Sequence, residues 1–245
     1  MNYEEIFRLR GGAYDHAMQL APEARREEFL LPIEWAGLRA GETIVDVPAG
    51  GGYLRRYLPA GVAWRGHEPC SSFNEGADGR DVPLLPLPWP DDSADATLSI
   101  AGVHHLEDKR PLFAEVRRVL RPTGRFVLAD AHEGSAVSRF LDEFVGLHNS
   151  TGHSGIYLGA HTRGDLEAAG FEVVRAERVA YAWWFNSRAD LGRFARLLFD
   201  VRYVDDGEVA EAVERILGTV ERNGEIGMRW ELYFLRAQPS RGRVA

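Results

Sequence analysis

The chain has 245 residues, which suits one domain or one domain with a large insertion. Hydrophobic residues make up 45% and charged residues 27%, which excludes a disordered or fibrous chain, and a net charge of −8 argues against a nucleic-acid partner. Cys70 is the only cysteine, so an internal disulfide is excluded and a reducing compartment is favoured. No secretory signal or membrane-length apolar run is apparent, so we predict a cytoplasmic protein without membrane attachment.

The first predicted element is helical. Residues 22–38 carry apolar side chains at helical spacing, Pro22 suits a helix start, and Pro32 should kink or divide the segment. From residue 43, strand-like runs alternate with helix-like runs, which indicates an α/β fold with a mostly parallel sheet covered on both faces. The predicted helices lie near 51–58, 108–120 and 163–169. The predicted strands are 43–47, 62–67, 95–101, 124–130, 171–178 and 226–236.

Three regions exceed what a minimal strand–helix repeat requires. Residues 131–161 and 181–223 contain helix patterns and aromatic clusters, and residues 1–38 precede the first strand. We interpret these regions as a cap over the carboxyl edge of the sheet, placed on a core of residues 40–132. Because there is no internal repeat or low-complexity segment, residues 1–245 are predicted to form a single domain.

The stretch IVDVPAGGGYL, residues 44–54, breaks a predicted strand with a proline and three glycines. Such a turn at the carboxyl end of a parallel strand lets a ligand approach the backbone and a helix N-terminus. A dinucleotide fingerprint would need a third glycine where Arg55 stands, and no phosphate-binding lysine motif follows. The glycines alone leave a tight structural turn and a ligand site equally open.

Two acids favour the ligand site. Asp46 ends the first predicted strand, and Glu68 follows the second. A carboxylate after the second strand can accept hydrogen bonds from ribose hydroxyls, as it does in dinucleotide-binding folds. A glycine turn with one acid before it and another after the next strand is less common by chance than either feature alone.

A more specific signal comes from VDVPAGGGYL, LPWPDDSADATLSIAGVHHLED and EVRRVLRPTGRFVLAD. These stretches resemble the first motif, the fourth-strand region and the following helix and strand of class I S-adenosylmethionine-dependent methyltransferases of the small-molecule and ubiquinone-biosynthesis-like type. Pro48 replaces the first glycine of that family's D-x-G-x-G-x-G motif. The resemblance implies a Rossmann-like, doubly wound, mostly parallel seven-stranded sheet with an antiparallel last strand and a helical cap.

The resemblance also implies S-adenosylmethionine as the cofactor and S-adenosylhomocysteine as its product. Asp46 would lie near the methionine amino group, and Glu68 would hold the ribose hydroxyls. The family's adenine-reading acid is expected four residues before LPW, where Pro83 stands, so Asp81 becomes the candidate through a shifted loop. The implied cofactor-binding set is Tyr14, Asp46, Pro48, Gly50, Gly52, Glu68, Pro69, Asp81, Leu84 and Ile100.

Methyl transfer from a sulfonium depends mainly on positioning, and a base is needed only for a hydroxyl or a protonated amine. His104 and His105 follow one predicted strand and Asp130 ends the next, so a histidine and this acid should face each other. In similar O-methyltransferases these positions act as base and orienter. Either histidine remains a candidate for the base, and one of them could instead only pack or cap a helix.

The cap supplies the candidates for acceptor binding, which are His148, Tyr157 and Trp183. The spacing of His148, His153 and His161 is not a recognised zinc pattern and no second thiol is present, so no metal site is predicted. We expect a small-molecule acceptor, and the resemblance is compatible with a homodimer.

The leading functional hypothesis is S-adenosylmethionine-dependent O- or N-methylation of a small molecule. One alternative is a protein of this fold that binds the cofactor without methylating. The other is an NAD-dependent dehydrogenase, which Arg55 at the third fingerprint position disfavours.

Overall fold

A computed structural model describes residues 3–73 and 80–240. Within these residues one sheet contains seven strands in the order β2–β1–β3–β4–β7–β5, with β6 paired to β7. The strands are β1 (Thr43–Asp46), β2 (Ala63–Gly66), β3 (Ala94–Ile100), β4 (Leu120–Asp130), β5 (Phe171–Phe185), β6 (Thr219–Arg222) and β7 (Glu225–Pro239).

Neighbouring strands pair in parallel on one side of the sheet and antiparallel around β7. β1 pairs in parallel with β2 and β3, and β3 pairs in parallel with β4. β7 is antiparallel to β4, β5 and β6. The predicted doubly wound, mostly parallel sheet with an antiparallel last strand is therefore confirmed.

The antiparallel part is larger than predicted. β5 and β7 pair from Phe171 with Pro239 to Phe185 with Ile226, so residues 181–185, which the sequence placed in the cap, continue a strand. β6 (Thr219–Arg222) forms a hairpin with β7 that the sequence analysis also missed. Residues 181–185 fit the extended β5 because the side chains of Tyr181, Trp183 and Phe185 alternate along it and are buried.

The helices cover both faces of the sheet and its carboxyl edge. α4 continues through a π-helical turn at Phe140–Val145 into α5, and Pro32 lies within α2 without ending it. The helices are α1 (Tyr3–Leu20), α2 (Arg26–Ala36), α3 (Arg110–Val119), α4 (Ala136–Arg139), α5 (Gly146–His148), α6 (Ala160–Ala168), α7 (Arg188–Leu198) and α8 (Asp206–Ile216).

Alternating side chains of the central strands build two cores. Val127 on β4 packs in the cluster formed with α2, α7 and α8, whereas Phe126 and Leu128 pack in the cluster formed with α3 and α6. This period of two is what a strand covered on both faces requires. Among the described residues, no helix combines the length and the apolar character needed to cross a membrane.

The carboxyl ends of the parallel strands converge at one edge. Asp46 ends β1, Glu68 follows β2, the 3-10 turn Val103–His105 follows β3, and Asp130 ends β4. In an open α/β sheet this edge is where ligands bind. The fold thus gathers Asp46, Glu68, Asp130 and the two histidines after β3 at this edge.

Candidate active site

The glycine turn after β1 borders a cavity. Gly50 lines this cavity with φ of +54°, and a Cβ built on it would meet no atom within 4 Å. Gly52 also has a positive φ, of +70°, and the Val47–Pro48 peptide is cis. The turn therefore presents bare backbone to open space, as a closely approaching ligand requires.

Glu68 is hydrogen-bonded to the same turn. Its Oε2 accepts from the Gly50 N–H at 2.8 Å and from the Tyr3 hydroxyl at 2.8 Å, and its Oε1 accepts from the Cys70 N–H at 2.9 Å. Burial raises the pKa of Glu68 to about 7, although these hydrogen bonds oppose the increase. The carboxylate is thus held in place at the rim of the cavity.

Asp46 lines the cavity itself and is 3% exposed. Its hydrogen-bond donor is Trp64, whose Nε1 donates to Oδ2 at 3.2 Å. Burial, together with the charge of Glu68, raises the pKa of Asp46 to about 8. A bound cation would favour the ionised form of both acids, so the cavity suits a positively charged ligand.

Helix α1 forms the roof of this cavity. Tyr3, Phe7 and Tyr14 line it from one face of the helix. Phe7 packs against Phe73 with ring centroids 5.1 Å apart, which fixes the helix over the turn.

A second cavity lies beside the first. Both cavities are lined by Phe7, Tyr14, Arg25 and Ala101, so they are contiguous. The second cavity continues to the histidines after β3, to His153 and to aromatic walls formed by Trp183, Phe199 and Trp230. The glycine turn and the histidines thus line two adjoining cavities at this edge.

His104 and Asp130 meet at this second cavity. Asp130 Oδ1 lies 2.7 Å from His104 Nδ1, and Oδ2 accepts from the His104 backbone N–H at 3.0 Å. Burial alone would raise the pKa of Asp130, but the His104 ring and the backbone donors outweigh it and lower that pKa. An ionised Asp130 fixes the proton on Nδ1, which leaves His104 Nε2 as a hydrogen-bond acceptor.

His153 forms a second pair of the same kind. Its Nδ1 lies 3.0 Å from Asp142 Oδ1, which also accepts from the Tyr157 hydroxyl at 2.6 Å. His153 Nε2 is buried and has no hydrogen-bond partner among the described residues. Two backbone hydrogen bonds position the loop that carries His153 and Tyr157. The Ile156 N–H donates to the His104 carbonyl at 2.8 Å, and the Leu158 N–H donates to the Ala131 carbonyl at 3.0 Å.

His105 completes a group of three imidazoles. One ring nitrogen from each of His104, His105 and His153 lies within 4.8 Å of the other two. Burial lowers the pKa of His105 well below its usual range, and the charges of His104, His153 and Arg10 lower it further. Three imidazoles so placed can ligate a metal ion or bind a hydroxyl-bearing ligand, and the absence of a metal site stays a prediction.

The first cavity brings together half of the cofactor-binding set. Its lining includes Tyr14, Asp46, Pro48, Gly50 and Ile100, and Glu68 is hydrogen-bonded to two residues of the lining. Pro69, Leu84 and Gly52 do not line it.

Asp81 lies apart from the first cavity. It accepts hydrogen bonds from Ser71 and is ion-paired with Arg8 at 2.8 Å on the surface. These contacts lower the pKa of Asp81 to about 2.

Of the predicted acceptor-binding residues, Trp183 lines the second cavity and Tyr157 stacks beside His104 with ring centroids 6.0 Å apart. His148 lies apart from both cavities, and its Nδ1 is bonded to the Phe144 carbonyl within its own helical segment. The four-residue spacing explains that bond without a ligand.

The sequence analysis did not single out Arg10, Arg25, Glu28 or Asp142. Arg10 and Arg25 are each 4% exposed, and Glu28 is fully buried. Arg25 is paired with Glu28, which also accepts from Trp183 Nε1 at 2.8 Å. Charged residues in helices usually face solvent, so periodicity gave no signal for these residues.

Comparison with known proteins supports the assignment of the fold and the glycine turn. Residues 45–128 match a methyltransferase domain family. An uncharacterized methyltransferase, YcgJ, of Bacillus subtilis is 32% identical over 135 residues, or 50% of this chain and 53% of that protein. The ubiquinone/menaquinone biosynthesis C-methyltransferase UbiE of Caulobacter vibrioides is 34% identical over 124 residues, or 51% of this chain and 42% of that protein.

The matched region spans about half the length of these curated relatives. The crystal structure of Bacillus subtilis YcgJ shares the fold, with a TM-score of 0.60 at 19% identity, covering 89% of this chain and 100% of that one. Residues 45–128 are thus similar in sequence to a methyltransferase domain, and the fold is shared with a protein named as a methyltransferase.

Proposed function

We propose that this protein transfers the methyl group of S-adenosylmethionine to a hydroxyl or amine of a small molecule. The observation that carries the proposal is the His104–Asp130 pair in a cavity contiguous with the one at the glycine turn. A carrier of the methyl group and its acceptor would then meet at the wall that the two cavities share.

The first cavity fits S-adenosylmethionine by its chemistry. Asp46 and Glu68 are acids with raised pKa values, and neither is paired with a cationic side chain among the described residues. The cofactor carries an ammonium group and a sulfonium group and has ribose hydroxyls that a carboxylate can bind. When bound, it supplies an electrophilic methyl group with a sulfide as the leaving group.

We assign the base to His104 rather than to His105. Asp130 orients the His104 ring and stabilises the imidazolium that forms when Nε2 accepts the acceptor's proton. In the balanced step the acceptor's O–H or N–H bond would break, its oxygen or nitrogen would bond to the methyl carbon while the bond from that carbon to sulfur breaks with its electron pair on the sulfide, and the proton would go to His104 Nε2. His105 has no carboxylate partner among the described residues, and its lowered pKa disfavours the cation.

The lining of the second cavity supports a small acceptor. Its walls include the aromatic side chains of Trp183, Phe199 and Trp230 together with a few polar groups, which is typical of small-molecule sites. UbiE, a relative with a matching region, is named for a step in ubiquinone and menaquinone biosynthesis, which also favours a small-molecule substrate over a macromolecule.

The test is transfer of tritiated methyl groups from S-adenosylmethionine to a panel of small hydroxyl and amine compounds. Asp130→Asn and His104→Gln should lower kcat by about 10²–10⁴-fold on a hydroxyl acceptor. Both variants should keep wild-type affinity for S-adenosylhomocysteine, because neither residue lines the first cavity. His105→Gln should retain more activity than His104→Gln.

Two results would contradict the proposal. Tight binding of S-adenosylhomocysteine with no methyl transfer to any compound would favour a protein that binds the cofactor without methylating. Full activity of both His104→Gln and Asp130→Asn would remove the base and leave positioning as the source of catalysis.

A further inference from the structure

Arg10 of α1 is a buried cation without a full set of partners. The residue is 4% exposed, and its Nε and Nη1 are buried with no hydrogen-bond partner among the described residues. It lines the second cavity and lies over the Phe7 ring, with its Cζ 5.8 Å from the ring centroid. Leaving charged donors unsatisfied is costly, so this arrangement requires an explanation.

The protein does not neutralise Arg10 with a carboxylate. Asp200 attracts Arg10, but its oxygens are bonded to Arg202, at 2.9 Å, and to the Ser150 hydroxyl. Burial is the main cause that lowers the pKa of Arg10 to about 10, so the guanidinium remains charged at neutral pH. Arg25 in the same cavity shows the contrast, because it is ion-paired with Glu28.

The charge of Arg10 also disfavours a cation at the imidazoles that share the second cavity with it. The charge of Arg10 lowers the pKa of both His105 and His153, which means that it opposes positive charge at the imidazoles. The same field opposes a divalent metal ion at the three ring nitrogens. An anion in the second cavity would instead gain from Arg10 and would satisfy its orphaned donors.

We infer that the acceptor carries a carboxylate on an apolar, planar body and that Arg10 binds this carboxylate. One guanidinium matches one monoanion, and its planar fork suits the two oxygens of a carboxylate. The aromatic walls at Trp183, Phe199 and Trp230 would pack against the body of the acid. The inference rests on the proposed function and names the substrate class of the same site.

The experiment compares acids with uncharged analogues of the same shape. Benzoate, 4-hydroxybenzoate and phenylacetate are each paired with the corresponding primary amide, and binding is measured by thermal shift and by calorimetry. The proteins are the wild type, Arg10→Met and Arg8→Met. Arg8 is the matched control, because it lies on the same helix but is ion-paired with Asp81 on the surface.

The wild type and Arg8→Met should bind at least one acid about 10- to 100-fold more tightly than its amide, the range expected for hydrogen bonds to a charged group. Arg10→Met should lose that preference. It should also unfold at a higher temperature than the wild type, because a methionine needs no hydrogen bonds in this cavity. A purely structural arginine would instead destabilise the protein when replaced.

Three outcomes would overturn the inference. They are equal binding of acids and amides by the wild type, an acid preference that survives in Arg10→Met, and stabilisation of the wild type by Zn²⁺ that is lost in His153→Ala. S-adenosylhomocysteine binding is measured in parallel as an independent readout. If S-adenosylhomocysteine binding is normal while the acid preference is absent, the acceptor class is wrong and the methyl-transfer assay alone decides the proposed function; if S-adenosylhomocysteine does not bind, the proposed function fails.

Discussion

Asp46 and Glu68 lie close enough for the charge of Glu68 to raise the pKa of Asp46. The pKa values of both acids are raised mainly by burial, to about 8 and about 7. In the folded protein without ligand, each acid therefore holds its proton to a higher pH than in the unfolded chain. A cationic ligand would release these protons, so its affinity should rise with pH through the same window.

Replacing Asp46 by asparagine should stabilise the protein without ligand at high pH. Because the folded pKa of about 8 exceeds the ordinary value of 3.8, the folded state binds more protons, and the free energy of unfolding falls as pH rises between these values. The Asp46→Asn side chain would keep the acceptor for Trp64 and would remove the buried charge. Urea unfolding at pH 8 should show a gain on the order of a few kcal/mol over wild type, and at pH 4 almost none.

Asp108→Asn provides a control, because the pKa of Asp108 is lowered in the folded protein whereas that of Asp46 is raised. Hydrogen bonds from Arg110 lower the pKa of exposed Asp108 to about 2, so its ionised form is the favoured one in the folded state. Its contribution is present above the unfolded pKa and is lost as pH falls toward 2, so this substitution should not stabilise the protein at pH 8. A stability of Asp46→Asn that follows the wild type at every pH would contradict the argument about burial.

Glu68→Gln tests the predicted role of Glu68 in binding the ribose hydroxyls. The substitution keeps the side-chain shape but removes the charge that would strengthen hydrogen bonds from ribose hydroxyls. We expect S-adenosylhomocysteine affinity to fall by about 1.5–3 kcal/mol in calorimetry. Asp81→Asn should change it little, since Asp81 is paired with Arg8 away from the cavity. A loss in Asp81→Asn as large as that in Glu68→Gln would instead support the predicted adenine-reading role of Asp81.

At the scale of single residues, the sequence predicted the positions of side chains that lie at the ends of strands. His104 and Asp130 were expected to face each other because they follow neighbouring strands, and their ring-to-carboxylate contact of 2.7 Å agrees with that placement. Arg10 and Asp142 were missed because their positions depend on how helices pack across the sheet edge. That packing is a long-range property, which local periodicity does not contain.

At the scale of elements, α1 connects the two cavities. Tyr3, Phe7, Arg10 and Tyr14 recur at helical spacing, so they share one face of the helix. At the start of α1 the Tyr3 hydroxyl donates a hydrogen bond to Glu68, and two turns later Arg10 lines the second cavity. A ligand below α1 must therefore add contacts to this helix.

Hydrogen exchange should detect these contacts. S-adenosylhomocysteine at saturation should slow amide exchange in the first half of α1 by about 10-fold or more, because the bound ligand would pack against Tyr3 and Phe7. Helix α8 (Asp206–Ile216) is the internal reference, since none of its residues lines either cavity. Equal protection of α8, or none in α1, would show that α1 does not cover the site.

The parallel strands could be predicted from sequence because Gly and Pro residues mark their ends and apolar runs mark their cores. The length of β5 and the presence of β6 could not be predicted. Residues 181–185 read as an aromatic cluster, and only their pairing with β7 shows that they continue the strand. Pairing with a distant segment, rather than the local sequence pattern, determines whether such residues form a strand.

At the scale of the whole molecule, the two cavities share the wall formed by Phe7, Tyr14, Arg25 and Ala101. Tyr14 accepts a hydrogen bond from Arg25, and Arg25 lies over the Trp183 ring with its Cζ 4.9 Å from the centroid. This chain of contacts runs from the roof of the first cavity to the far wall of the second. A ligand that orders the shared wall in one cavity prepares it for a ligand in the other.

The two ligands should therefore bind with positive coupling. We expect S-adenosylhomocysteine at saturation to tighten binding of the best acid from the benzoate series about fivefold or more, measured by calorimetry. Tyr14→Leu should bring this factor toward one, because it removes the hydroxyl that Arg25 contacts and keeps an apolar side chain against Phe7. Arg8→Met, on the outer side of α1, should leave the factor unchanged. Independent binding in the wild type would show that the shared wall transmits nothing. Competition would show that the cavities cannot be filled together, and a direct methyl transfer across that wall would then be impossible.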